Sequence, residues 1–123
     1  MSETLWVGLG GVLGAIARYW LNLAIASRAG TLFPVGTLVI NVSGSFVLGA
    51  LLGFLESHAA PPAVRLVCAT GFLGAYTTFS TFTAETVRLV EEGSFLLAVA
   101  NAGGSLVLGL AAAVVGLVVG RAA

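Results

Sequence analysis

The spacing of charge along this 123-residue chain limits its fold more than any other feature. Uncharged stretches cover residues 4–17, 29–55, 66–84 and 93–120. A helix needs about 20 apolar residues to cross the roughly 30 Å hydrocarbon core of a bilayer. Four such helices, at about 4–27, 33–56, 63–90 and 94–120, use up the chain once Arg18 is allowed inside the first. Hydrophobic residues make up 59% of the sequence and charged residues 8%, with a mean hydropathy of +1.09. Soluble domains carry about 25% charged residues, so this chain cannot cover a globule in water. The expected fold is all-α and integral to the membrane, a single four-helix transmembrane domain over residues 1–123. It leaves no soluble domain to hold a conventional enzyme site.

A net charge of zero excludes a polyanion-binding surface, and with it nucleic acid as a partner. The 17 glycines would weaken helices in water, but in lipid small residues let helix backbones approach closely. Cys68 stands alone and reads as a small buried hydrophobe. Glu3, and no basic residue, precedes the first apolar run, which predicts a retained first span rather than a cleaved signal peptide. Orientation is normally read from basic residues in short loops. Arg65 and Arg121 would lie on one side, Arg28 and Arg88 on the other. Two against two gives no bias. Either the chain offers too few charges to count, or copies insert both ways up and pair antiparallel.

Spans two and four carry the same polar ridge. Thr37, Asn41, Ser45, Gly49 and Gly53 recur at intervals of four, as do Asn101, Ser105, Gly109 and Ala113. Such a row is a seam for another helix or a narrow aqueous path. A shift of 60 residues also lays Gly11–Ala15 on Gly71–Ala75 and Asn41–Gly49 on Asn101–Gly109. This pattern fits parallel repeats, or a shared glycine-rich composition.

Arg18 sits near the middle of span one, where a guanidinium costs roughly 2.5–3.5 kcal/mol on insertion scales. Two roles can offset that cost: a brace for a broken helix, or a positive charge in an anion vestibule. Span three, at 1.5 Å per residue, would reach about 42 Å, so a break or a strong tilt is expected. Six of the ten residues from Thr77 to Thr86 are Ser or Thr, which is too polar for a lipid-facing surface. Gly71, Gly74 and Thr77-Thr78 mark where the helix could unwind. Non-helical backbone at membrane depth survives only when buried in protein or lining a cavity, and freed carbonyls there can coordinate a small cation. Phe79 and Phe82 share one face beside these hydroxyls. Their ring edges carry partial positive charge, against which an anion can rest without being trapped. Glu85 and Arg88, three apart, most simply form a helical ion pair at a vestibule. His58 lies between the end of span two and loop prolines and is expected to be solvated. Trp6 and Trp20 fit interface anchors. The sequence offers no metal-ligand cluster, nucleophile–base pair or phosphate loop.

Gly14-Ala-Ile-Ala-Arg-Tyr19, Gly36-Thr-Leu-Val-Ile-Asn41 with Gly44-Ser-Phe46, and Gly71-Phe-Leu-Gly-Ala-Tyr-Thr-Thr-Phe-Ser-Thr-Phe82 run in this order across nearly the whole chain. In order and spacing they resemble the signatures of the fluoride channels of the Fluc (CrcB) family, the third being highly specific. The resemblance implies a multi-pass cell-membrane protein whose broken third helix belongs to an antiparallel, dual-topology homodimer. It implies passive, fluoride-selective export that lowers cytoplasmic fluoride and confers fluoride resistance. Carried over by motif, Asn41, Phe79 and Phe82 would line the pore, with Ser80, Thr81 and Ser105 continuing a polar track. The carbonyls of Gly74 and Thr77 would bind a structural sodium ion, and Arg18 and Glu85 would supply vestibule or structural charge. Ala75 stands where many members have a second Gly, and Asn101 where Tyr is frequent. The alternatives are a small dual-topology, proton-coupled exporter of organic cations and a non-transporting assembly subunit. An exporter needs a membrane carboxylate where span one here has Arg18.

Overall fold

In a computed structural model, which describes residues 2–123, the apolar runs form helices whose ends follow local chemistry. Helix α1 spans Ser2–Ala29 and stops at Gly30, whose φ of 55° is left-handed. Helix α2 spans Val35–Ser57. It begins two residues later than the sequence suggested because Pro34 supplies only a carbonyl, to Leu38 N at 3.2 Å. The third stretch opens with α3 (Pro62–Val64) and passes into a π-helix over Arg65–Leu73. It then returns to α geometry in α4 (Gly74–Tyr76). Helical backbone stops there. Thr77 (φ −81°, ψ 156°) and Thr78 (φ −147°, ψ 114°) are extended, and α5 covers Phe79–Glu91. Glycine ends α5 as well: Gly93 has φ 78°, Ser94 N donates to Leu89 O at 2.8 Å and Gly93 N to Val90 O at 3.0 Å. That pair of bonds is a Schellman motif. Helix α6 spans Phe95–Ala122.

Three of these helices, α1, α2 and α6, are long and apolar enough to cross a membrane, with mean hydropathies of 1.3, 2.1 and 2.3. No strand occurs among the described residues. The interior is made largely of glycine. A Cβ on Gly10 or Gly14 would strike the carbonyls of Val67 and Phe72, and one on Gly71 would lie 2.6 Å from the Val7 carbonyl. The π segment therefore lies directly on α1. Gly71, expected at an unwound point, is instead a helical contact residue. Gly49 and Gly53 of α2 meet the backbone of α6 at Ala113 and Leu117, while Gly116 and Gly120 meet α2 at Phe46 and Ala50. In both pairs residue number rises together, so the helices run parallel and seat along four-residue ridges. Large apolar side chains such as Leu96, Val99 and Leu106 face outward. Such an outer surface suits hydrocarbon rather than water.

Candidate functional site

The extended step at Thr77–Thr78 leaves backbone groups that helical geometry would have satisfied, and polar side chains from two other elements take over. Asn41 on α2 does so twice. Its Oδ1 accepts from Thr78 N at 2.8 Å, and its Nδ2 donates to Thr78 O at 3.0 Å. Gly44, one turn on, makes room for the step, because a Cβ there would collide with the Thr77 methyl. On the other side Arg18 Nε donates to the Ala75 carbonyl at 3.0 Å. The guanidinium thus offsets part of its burial against backbone just before the break. Thr78 caps α5 by accepting from Thr81 N at 3.4 Å, while its hydroxyl donates to Thr81 Oγ1 at 3.0 Å. With Thr78 N and Thr81 N so engaged, no donor reaches the carbonyls of Gly74 and Thr77 among the described residues.

A groove of about 590 Å³ opens beside the step. Asn41 and Ser45 line it from α2, Thr77 and Thr78 from the step, Phe79 and Phe82 from α5, and Ser105 from α6. The two phenylalanine rings sit 6.0 Å apart, tilted by 55°. Phe79 is 76% exposed and projects beyond the groove. Leu106, Leu110 and Ala113 complete a largely apolar wall.

A second cavity, of about 520 Å³, lies at the connection between α1 and α2. Asn22, Thr31, Gly36 and Glu85 border it. Glu85 and Arg88 do not form the ion pair expected from their spacing. The Glu85 carboxylate accepts from Thr37 Oγ1 on α2, a buried hydroxyl, while Arg88 is exposed. The ion pair present among the described residues is Arg121–Glu56, held by two bonds of 2.7 and 3.0 Å between the ends of α6 and α2. His58 is exposed but not merely solvated. It stacks on Phe54 with ring centroids 3.9 Å apart, and its Nδ1 contacts the Phe54 carbonyl at 3.0 Å. Cys68 is half-buried in the π segment.

The structure thus brings Asn41, Phe79, Phe82 and Ser105 to one groove and Glu85 to its neighbouring cavity. Ser80 and Thr81 lie on the exposed part of α5, outside the groove lining. Ser45, on the four-residue ridge with Asn41, and Thr78, in the hydroxyl run, also line the groove. Asn101, only 1% exposed, lies behind the groove and donates from Nδ2 to Thr86 Oγ1 at 2.8 Å.

The profile of the family described as "CrcB-like protein, Camphor Resistance (CrcB)" matches residues 5–117. A protein of Acidobacterium capsulatum named "Fluoride-specific ion channel FluC" is 52% identical over 118 residues, 95% of this chain and 94% of that relative. Relatives with the same name from Solibacter usitatus and Magnetococcus marinus are 48% and 47% identical. They cover 95% and 94% of this chain, and 97% and 95% of their own lengths.

Proposed function

This chain belongs to the CrcB family, and on that premise we propose that it is a passive, fluoride-selective channel of the cell membrane. The names of its relatives support fluoride as the conducted ion. The observation that carries the reading is the convergence of an Asn amide, Ser and Thr hydroxyls and two Phe rings on one groove. Fluoride is small and strongly hydrated. A pore must replace its water with several weak donors, because a cation at the narrowest point would hold it too long. Among the described residues no charged side chain lines the groove; Glu85 borders the other cavity, and Arg18 is engaged with the Ala75 carbonyl. An inside-negative potential favours anion exit by about 2.3 kcal/mol per 100 mV, so export needs no coupled ion.

In this reading the chain makes four passes, the third interrupted at Thr77–Thr78. Two copies in opposite orientations complete the pore, with Phe79 reaching toward the second copy. The large exposed fraction of Phe79 and the even division of loop arginines support this arrangement. The carbonyls of Gly74 and Thr77, free of intrachain donors, have the chemistry that a sodium ion takes from unwound membrane helices. Sodium bound there would satisfy those carbonyls as oxygen ligands. Arg18 braces the same step through Ala75. The exporter alternative lacks support, since no carboxylate lines the groove.

Purified protein in liposomes loaded with fluoride tests the function directly. Rapid efflux with little chloride movement and no need for a proton gradient is expected. Retention of fluoride equal to that of empty liposomes overturns the reading.

A further inference from the structure

The groove hydroxyls differ in how firmly their protons are already held. Ser45 donates to the Asn41 carbonyl at 2.7 Å, Thr77 to the Leu73 carbonyl at 3.0 Å and Thr78 to Thr81 Oγ1 at 3.0 Å. Ser105 alone makes a long bond, 3.3 Å to Asn101 Oδ1. Hydroxyl hydrogen bonds centre near 2.7–2.8 Å, so the Ser105 proton is the one most easily given to an incoming ion. The direction of that bond follows from its neighbours. Thr86 donates its hydroxyl proton to the Phe82 carbonyl at 2.8 Å, so toward Asn101 it can only accept. Nδ2 of Asn101 must therefore face Thr86, and Oδ1 must face Ser105. The result is a one-way relay from Ser105 through Asn101 and Thr86 to the carbonyl of Phe82. It joins two groove residues on different helices through two side chains, Asn101 and Thr86, that do not themselves line the groove.

We propose that Asn101 is a positioning residue that keeps the Ser105 hydroxyl available to the conducted anion; this rests on the channel reading above. A serine in a helix ordinarily turns its proton back onto the carbonyl four residues earlier, as Ser45 does with Asn41. For Ser105 that carbonyl belongs to Asn101. The Asn101 amide, oriented by its bond to Thr86, turns its oxygen toward Ser105, and the hydroxyl rests on that oxygen at 3.3 Å in place of the backbone carbonyl. An anion in the groove then has to break only a long bond to recruit this donor. Asn101 keeps its bond to Thr86 meanwhile, so the α5–α6 contact does not move.

The test is a double-mutant cycle on the full-length protein in liposomes, reading the fluoride concentration that half-saturates efflux. Asn101→Leu removes the competing acceptor and should raise this concentration about fivefold, the size of one neutral hydrogen bond. Ser105→Ala should raise it at least as much. In the Ser105→Ala background Asn101→Leu should add nothing. Thr86→Val, which frees the amide while conserving volume, carries the same cycle if Asn101→Leu fails to fold. Equal shifts in the presence and absence of Ser105, or a half-saturation that stays at the wild-type value, overturn the role of Asn101. If wild-type liposomes retain fluoride, the channel reading fails instead, and the two failures are distinguishable.

Discussion

At the scale of single residues, Asn41 joins structure to chemistry most directly. Its amide satisfies both backbone groups of Thr78, and it lines the groove. One Nδ2 proton remains beyond those bonds. Asn41→Leu should therefore leave Thr78 N without its acceptor, lower stability by about 1–3 kcal/mol and abolish fluoride efflux. A thermal melt and a flux assay on the same preparation measure both. Phe79→Ile should separate the two effects, since the exposed ring contributes little packing within its own subunit. Efflux should vanish while the melting temperature is kept; undiminished flux would remove Phe79 from the pore. Arg18→Ala takes away the donor to Ala75 and should lower both stability and flux. The residue identities of the groove were legible in the sequence through two signals, the four-residue ridge and the hydroxyl run. Their partners were not. The Glu85–Arg88 spacing favoured a local ion pair, but α2 brings Thr37 against the carboxylate, and a tertiary contact replaces the helical one.

At the scale of elements, two parallel helix pairs seat on glycine ridges, α1 against the π segment and α2 against α6. The ridges were visible as spacing, but which ridge met which depended on the register of two helices far apart in sequence. Backbone contact makes each ridge intolerant of a methyl group. Gly116→Ala would press a Cβ into the Phe46 carbonyl and should cost about 1–3 kcal/mol or more. Gly8→Ala on α1, with nothing within 4 Å of the new Cβ, should instead stabilise its helix by roughly 0.5–1 kcal/mol. Melting temperatures in one detergent compare the two. Similar shifts for both would show that the ridges are not the sites of closest packing. The π-helix left no sequence signal, because no residue type marks i→i+5 bonding; it arises where Gly71 is drawn onto α1.

For the whole molecule, the scarcity of charge that predicted a membrane fold also bears on orientation. On the four-pass reading Arg28 and Arg88 balance Arg65 and Arg121, and loop charge then favours neither insertion. Single-cysteine variants made in a Cys68→Ser background, labelled from each side of the membrane, should react equally from both. Strictly one-sided labelling would assign the subunit a fixed topology. The segments related by the 60-residue shift also touch one another, Gly14 on Phe72 and Gly109 beside Ser45.

If a cation or a second copy covers the carbonyls of Gly74 and Thr77, as proposed above, the isolated subunit is an unfinished fold. A cation or second copy that covers them binds the folded chain and not the unfolded one, so its binding free energy adds to stability by mass action. Folding and assembly are then one equilibrium. Diluting the protein in detergent, or replacing sodium with a large organic cation, should lower the unfolding midpoint. A midpoint independent of both would mean that each subunit is complete alone.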